Sequence, residues 1–142
     1  MYSYTDVFTF LAHQHGVSPS KLTPETDLFH DLGIDGDDFF ELEEAYAKRF
    51  CVDMSNYLWF FHHGEEGAFN LGGLFFPAPY CRVDRMPVTP KILLDSANAG
   101  KWILEYPPHE VPEHRYDIRI NRFFPIGVVL LLVYFMIRKF VS

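Results

Sequence analysis

The short segment HHGEE contains residue types that bind metal ions and transfer protons. Imidazole and carboxylate groups are common ligands of zinc and other transition metals. The candidate ligands are His62, His63, Glu65 and Glu66. No second pair of ligands has a recognisable spacing elsewhere in the chain, and neighbouring polar residues on a loop commonly face water. We therefore expect no metal ion, and a metal-dependent enzyme that uses these four residues is kept as an alternative.

Nucleophilic catalysis is not indicated either. No Ser-His-Asp or Cys-His arrangement has a sequence context that supports it. The two cysteines, Cys51 and Cys81, have neither a metal-binding nor a redox spacing, and we interpret them as free thiols. We expect a protein without enzymatic activity.

A glycine-rich acidic turn, DLGIDGDD, begins at Asp31. If Asp31 takes the first place of a calcium-binding loop, Gly36 falls in the sixth place, where that loop requires glycine. The third place holds Gly33, however, and the twelfth holds Leu42, where a bidentate Glu is needed. We expect instead that Asp35 caps the following helix and that the two glycines adopt unusual backbone angles.

The elements that would position these residues are mainly helical. Hydrophobic periodicity predicts a first helix over residues 3–15, a second from 35–38 to about 49, and a third that starts after Thr89 and ends at Gly100. The predicted core-facing side chains are Val7, Phe8, Leu11, Ala12, Phe39, Phe40, Leu42, Ala45, Tyr46, Phe50, Leu93, Leu94 and Ala97.

Residues 55–88 interrupt this helical pattern with aromatic residues, glycine and proline. Short strands and a compact loop are both compatible with this composition. The aromatic runs at 57–61 and 74–76 have two interpretations: they cap the hydrophobic core, or they form a contact surface for a partner or for lipid headgroups.

The stretch FFPIGVVLLLVYFMI, residues 123–137, has no charged side chain. Fifteen helical residues reach roughly 22 Å, which is short of the ~30 Å hydrocarbon core of a bilayer. Phe140 and Val141, with snorkelling of Arg138 and Lys139, narrow the gap. A domain of this size would not surround such a segment on every side, so we predict a transmembrane helix over residues 123–141.

Residues 3–54 resemble acyl carrier proteins, which are small four-helix bundles. The motif DLGID, which ends at Asp35, matches the carrier motif Asp-Leu-Gly-x-Asp-Ser, but Gly36 stands at the serine position. Positions 88–94 are similar to the start of the last carrier helix. The letters AGKW, residues 99–102, resemble a bacterial family of carrier-like proteins without an assigned function. Glu41, Leu42, Ala45 and Phe50 also fit the carrier pattern.

The resemblance implies that a serine would carry 4′-phosphopantetheine, and Gly36 has no side chain to which this cofactor could be attached. Asp35, Asp37 and Asp38 would also repel its phosphate. We therefore expect no cofactor, and bulky core residues predict no large acyl-chain cavity. A working carrier in lipid or polyketide synthesis, modified at another serine, is the second alternative.

Charge is distributed unevenly along the chain. Residues 1–54 hold 11 acidic and 3 basic side chains, a balance of −8, whereas residues 55–142 hold 8 and 9, a balance of +1. An acidic surface repels nucleic acid and attracts basic protein surfaces, so we expect a protein partner and no nucleic acid. The resemblance to carriers indicates that such a partner docks on the second helix, at Asp35, Asp37, Asp38, Glu41 and Glu44.

Together these patterns predict three regions. Residues 1–104 form an acyl-carrier-like helical domain with an insertion at 55–88, residues 105–122 are a linker or juxtamembrane segment, and residues 123–141 are a membrane anchor. Within the linker, the alternation at 115–121 suggests a strand or a juxtamembrane ribbon. Arginines before the apolar stretch favour a single-pass protein of the bacterial inner membrane with a cytoplasmic N-terminal domain.

Overall fold

The computed structural model describes residues 1–66 and 70–141, with side chains up to residue 139. Residues 67–69, which lie in the predicted insertion, and residue 142 are outside the described part. The described residues form four α-helices, α1 (Tyr4–His15), α2 (Gly36–Phe50), α3 (Pro90–Ala99) and α4 (Tyr116–Val141). Short 3-10 turns occur at Pro19–Lys21, Trp59–Phe61, Gly72–Leu74 and Pro79–Cys81. The described residues contain no β-strand, so the prediction of a mainly helical chain is confirmed.

The chain divides into two compact units. Met1–Glu66 and Val83–His109 form the first unit, which contains α1, α2 and α3. The described parts of Gly67–Arg82 and Glu110–Ser142 form the second unit, which contains α4.

The helix boundaries of the first unit follow from local sequence signals. Ser3 precedes α1, and its backbone N–H donates to the Asp6 carboxylate at 2.8 Å. Gly16 ends α1 in the left-handed conformation, which costs glycine little. At α3, the Thr89 hydroxyl accepts from the backbone N–H of Ile92, and Gly100 ends the helix in the same left-handed conformation. The predicted end of α1 after His15, the predicted start of α3 after Thr89 and its predicted end at Gly100 are thus confirmed.

The core of the first unit lies between α1, α2 and α3. Phe39, Leu42, Tyr46 and Phe50, the four positions predicted to line one face of α2, are all buried. The Phe10 ring lies 5.4 Å from that of Phe50, and the Tyr46 hydroxyl donates to the Leu93 carbonyl at 2.6 Å. Phe40, which was predicted to join this face, is 37% exposed.

The segments that follow α2 and α3 pack on this core without forming strands. The Trp102 backbone N–H donates to the Asp53 carbonyl at 2.9 Å, beside an isolated bridge between Asp53 and Lys101. Phe61 is buried and stacks on Tyr106 with ring centroids 4.8 Å apart. For the aromatic run at 57–61, these contacts favour the interpretation as part of the core.

The second unit begins its helix earlier than the sequence indicates. The prediction of a strand or ribbon at 115–121 is wrong, because α4 starts at Tyr116. Asp117 and Asn121 are four residues apart, and both bind the loop around Asn70 and Gly72. In a helix, residues at this spacing lie one turn apart on the same face and are close enough to bind one loop, whereas in a strand they would be about 13 Å apart. The loop contacts therefore fit the two additional turns.

The remainder of α4 is apolar and exposed. The span Tyr116–Lys139 is long and apolar enough to cross a membrane. Its most apolar 18-residue window has a mean hydropathy of 2.0, and none of the residues in that window is buried. Among the described residues α4 is the one helix with these properties. Pro125 lies inside α4 and removes one backbone hydrogen bond from its first half.

Candidate functional site

The turn before α2 joins this helix to the segment that carries the two histidines. Gly36 has φ +53°, a left-handed conformation, and a Cβ placed there would lie 2.1 Å from Cγ of Glu66. Asp35 precedes the helix but makes no side-chain cap. Its Oδ1 accepts from the backbone N–H of Gly64 at 2.8 Å instead. The prediction of an Asp35 side-chain cap is therefore wrong, because this carboxylate is used to hold the neighbouring loop.

The acidic side chains predicted for docking lie along the start and middle of α2. Four of them are exposed, whereas Asp35 is half-buried. At 100° per residue, Asp37, Glu41 and Glu44 form one stripe along the helix. None of the exposed four takes part in an ion pair with another described residue. The exposed four, here called the acidic face, are Asp37, Asp38, Glu41 and Glu44.

His15 at the end of α1 is the nearby titratable group that could oppose this charge. Burial lowers the pKa of His15, although Asp38 and Glu41 attract its proton and act in the opposite direction. Burial therefore disfavours the charged imidazolium that would offset part of the charge of the acidic face.

Basic side chains occupy the other end of α2. Lys48 and Arg49 are exposed and line an open groove of about 710 Å³ between α1 and α2. Phe10, Ala45 and His13 also contribute to its wall. The charge of α2 therefore changes sign along the helix, with carboxylates at the start of the helix and cations at its end.

His62 is part of a buried hydrogen-bond network. Its Nδ1–H donates to the Met86 carbonyl at 2.9 Å, and the Tyr106 hydroxyl donates to its Nε2 at 2.8 Å. The same hydroxyl oxygen accepts from Trp102 Nε1–H at 2.8 Å and from the Leu58 backbone N–H at 3.1 Å. Burial lowers the pKa of His62 to about 4, so the neutral imidazole of this network persists at neutral pH.

The metal-site alternative gains no support from this arrangement. Both nitrogens of His62 are occupied by protein groups. His63 is buried and stacked on Phe39 with centroids 4.7 Å apart, its Nδ1–H donates to the Gly64 carbonyl, and of the four ring nitrogens only its Nε2 has no partner among the described residues. A metal ligand needs a free lone pair on nitrogen. Within the described residues, no group of three or more His, Cys, Asp or Glu side chains is arranged to hold a metal ion. The two histidines connect the loop to the core.

The carboxylates considered for a calcium-binding loop accept hydrogen bonds from the protein backbone. The Asp31 carboxylate accepts from the backbone N–H of Asp27 at 2.8 Å, and Asp35 is engaged with Gly64. The two cysteines, Cys51 and Cys81, are free and exposed, which agrees with their interpretation as thiols.

Glu43 is a half-buried titratable group that sequence reasoning missed. Burial raises its pKa to about 7, repulsion from Glu44 acts in the same direction, and interaction with the Tyr57 hydroxyl opposes both. Glu43 Oε2 and Tyr57 OH are buried, and neither reaches hydrogen-bond geometry with another group. The void that both residues line is only about 10 Å³. A carboxyl with this pKa can transfer protons, but no substrate fits beside it.

The spacing of α2 contained the signal for Glu43. Phe39, Tyr46 and Phe50 are buried, and position 43 lies four residues after the first and three before the second. A residue at this spacing lies on the core side of a helix. Its acidic side chain, however, suggests an exposed position when the sequence is considered alone.

Fold and site together define a mainly helical protein with a small helical core and one apolar helix long enough to cross a membrane. The chain belongs to the family described as "Protein of unknown function (DUF1493)", which matches residues 4–105. No curated protein and no solved structure matches the chain.

This family assignment corrects the resemblance to acyl carrier proteins. The match over residues 4–105 is to a family of unknown function and not to a carrier family, so the assignment to acyl carrier proteins is wrong. The short DLGID motif and the helix phase carried the resemblance. In the structure this motif is followed by the left-handed Gly36, and a side chain at this position would collide with Glu66. The carrier alternative is therefore set aside.

Proposed function

We propose that this protein is a non-catalytic, membrane-anchored docking module whose acidic face binds a basic surface of another protein. The observation that carries the docking part is the acidic face itself, with four exposed acidic side chains that have no ion-pair partner among the described residues. Like charges crowded on one helix destabilise it slightly. A basic partner would relieve this repulsion and would be attracted over a long range.

The anchor is α4. Its apolar window has no buried residue, and such a surface is stable in a hydrocarbon environment. The charges beside it suggest the orientation, since Arg115, Arg119 and Arg122 precede the apolar stretch and Arg138 and Lys139 follow it. The excess on the N-terminal side favours a single-pass helix in a bacterial inner membrane with the first unit in the cytoplasm.

The docking proposal is tested with the full chain purified in detergent as bait. Wild type should retain a partner from solubilised membranes, and the partner should be released as salt rises because the contact is electrostatic. The double variant Asp37→Lys, Glu41→Lys should lose it. The matched control Glu25→Lys, Glu105→Lys makes the same charge change at exposed residues of the first unit.

Retention by the control together with loss by the acidic-face variant supports docking at α2. Equal retention by both variants contradicts it. The anchor is tested separately by membrane fractionation: full-length chain in the soluble fraction contradicts the membrane part, and a chain that ends before residue 116 should move to the soluble fraction.

A further inference from the structure

The second unit presents a loop with three exposed apolar side chains. Leu74 is 74% exposed, Phe75 71% and Phe76 42%. Exposed apolar residues that adjoin one another mark a contact surface more often than isolated ones do. Residues 74–76 are therefore an exposed apolar surface of the second unit.

This loop is fixed to the first turns of α4. Asn121 Oδ1 accepts from the Gly72 backbone N–H at 2.8 Å, and Asn121 Nδ2–H donates to Asn70 Oδ1 at 2.8 Å. Asn70 Nδ2–H donates to the Asp117 carboxylate, which also pairs with Arg115 at 2.7 Å. The backbones are close, since a Cβ on Gly72 would lie 2.2 Å from the Asp117 carbonyl oxygen. The loop therefore keeps one position along the helix.

The loop lies beside the turns that directly precede the apolar stretch, and this stretch is too short to span the hydrocarbon core by itself. The stretch begins at residue 123 and reaches roughly 22 Å, whereas the hydrocarbon core is about 30 Å thick. If the anchor spans the bilayer, part of the deficit falls on the turns before Phe123, which carry Asp117 and Asn121. The loop forms hydrogen bonds with both of these polar side chains and carries three exposed apolar ones.

The opposite face of these turns is basic. Arg119 and Arg122 are three residues apart and share one face, about 150° from the mean direction of Asp117 and Asn121, and Arg115 directly precedes the helix. They line an open cavity of about 590 Å³ with Ile118, and Glu113 is the acidic residue in its wall. Arg115 is neutralised by Asp117, whereas Arg119 and Arg122 are exposed and form no ion pair with a described residue.

We propose that these two faces form a membrane-interface collar around the start of α4. Leu74 and Phe75 enter the boundary between headgroups and acyl chains, and Arg119 and Arg122 bind the phosphate groups of anionic phospholipids. The collar rests on the proposed membrane anchor and adds to it a lipid class and a second contact. Interfacial apolar side chains and arginines near an anionic surface each strengthen binding.

The loop contact is tested in the full chain reconstituted in vesicles of phosphatidylcholine and phosphatidylglycerol. Three single-cysteine proteins carry an environment-sensitive fluorophore, at Phe75→Cys, at Leu130→Cys and at the native Cys51, with the other cysteines replaced by serine. All three positions are exposed, so labelling does not disturb the core. Brominated acyl chains should quench the probe at 75 most strongly when the bromine lies near the headgroup, and the probe at 130 when it lies deeper. Cys51 should not be quenched.

The outcomes separate the collar from the anchor. If the probe at 130 is quenched but the probe at 75, like the probe at Cys51, is not, the collar is overturned and the anchor stays in place. No quenching at either position overturns the proposed membrane anchor and the collar with it.

Lipid class is tested with a probe at Ile118→Cys, which lines the arginine cavity. Brominated phosphatidylglycerol should quench this probe more strongly than its mole fraction in the vesicles predicts. The excess should persist in phosphate buffer, because free phosphate would compete if the arginines bound phosphate alone. The variant Arg119→Gln, Arg122→Gln should lower this preference roughly fivefold per arginine, whereas Arg49→Gln in the first unit should not change it. Quenching in proportion to lipid composition alone overturns the anionic-lipid assignment.

Discussion

At position 36, both the backbone conformation and the packing of neighbouring atoms require glycine. Its φ is +53°, and an added Cβ would lie 2.1 Å from Cγ of Glu66. We expect Gly36→Ala to lower the free energy of unfolding by roughly 2–3 kcal/mol, because a left-handed alanine is strained and the Glu66 side chain must move. Chemical unfolding of the full chain in detergent, followed by tryptophan fluorescence, measures this, since Trp59 and Trp102 both lie in the first unit.

Gly33 provides the matched control for that experiment. It is also left-handed, with φ +72°, but nothing lies within 4 Å of its Cβ position. Gly33→Ala should therefore show only the backbone cost of roughly 1–2 kcal/mol. Adding Glu66→Ala should remove the additional loss of stability that Gly36→Ala shows over Gly33→Ala. The same addition should leave the loss in Gly33→Ala unchanged. Equal losses in the two single variants would contradict the close approach of Glu66.

Glu43 makes the stability of the first unit depend on pH in an unusual direction. Its pKa rises from 4.5 to about 7, mainly through burial, and the groups around it are Glu44 and the hydroxyls of Tyr57 and Tyr106. Since the folded state holds this proton more tightly, the stabilisation is complete below about pH 4.5 and is lost as the pH rises to about 7. The shift corresponds to at most about 3 kcal/mol, and solvent screening reduces the expected loss to roughly 1–2 kcal/mol.

The variant Glu43→Gln should remove this contribution. The free energy of unfolding in detergent, measured for wild type and variant across this pH range, should decline with rising pH only in the wild type. Glu44→Gln changes the exposed neighbour and should keep most of it. The same pH dependence in wild type and Glu43→Gln would assign the decline to another group.

At the scale of elements, the sequence predicted α1, α2 and α3 because their signals are local. Caps such as Thr89 and Gly100 and the apolar spacing of α2 act within one or two turns. The start of α4 could not be predicted in this way. The apolar run suggested a helix that begins near residue 123, whereas α4 begins at Tyr116 and its first turns are hydrogen-bonded to Asn70 and Gly72.

The same distinction applies to the candidate site. The acidic face was predicted because its residues are polar and lie on one helix, and four of the five are exposed. The partner of Asp35 was not predictable, since Gly64 is 29 residues away in the sequence. His62 and His63 suggested metal ligands by residue type alone, and only their burial and contacts with Tyr106 and Phe39 identify them as core residues.

The dependence of the first turns of α4 on the loop can be tested with Gly72→Ala. The added methyl group would lie 2.2 Å from the Asp117 carbonyl oxygen, so the loop must leave the helix. We expect amides of residues 116–122 to exchange hydrogen faster in the variant, because these turns lose the contacts that hold them. Gly127→Ala in the same helix meets nothing within 4 Å and should leave the exchange unchanged. Unchanged exchange in Gly72→Ala would show that these turns form without the loop.

At the scale of the whole molecule, each compact unit is built from two separate stretches of chain. The sequence suggests a domain, a linker and an anchor in succession, but the structure groups residues 70–82 with α4 and residues 83–109 with α1 and α2. This grouping depends on contacts between residues about 50 positions apart, such as Asn70 with Asn121. Local propensity contains no information about such contacts, which is why composition identified the apolar helix but not the loop that binds it.

The orientation of the whole chain gives the last prediction. Three arginines precede the apolar stretch and two cations follow it, and this excess favours a cytoplasmic first unit. In a Cys81→Ser protein, a membrane-impermeant maleimide should label exposed Cys51 in inverted vesicles and not in right-side-out vesicles. Detergent should make both preparations react equally, which controls for the reactivity of the thiol itself. The reverse pattern would place the acidic face outside the cytoplasm, where a cytoplasmic basic partner could not reach it.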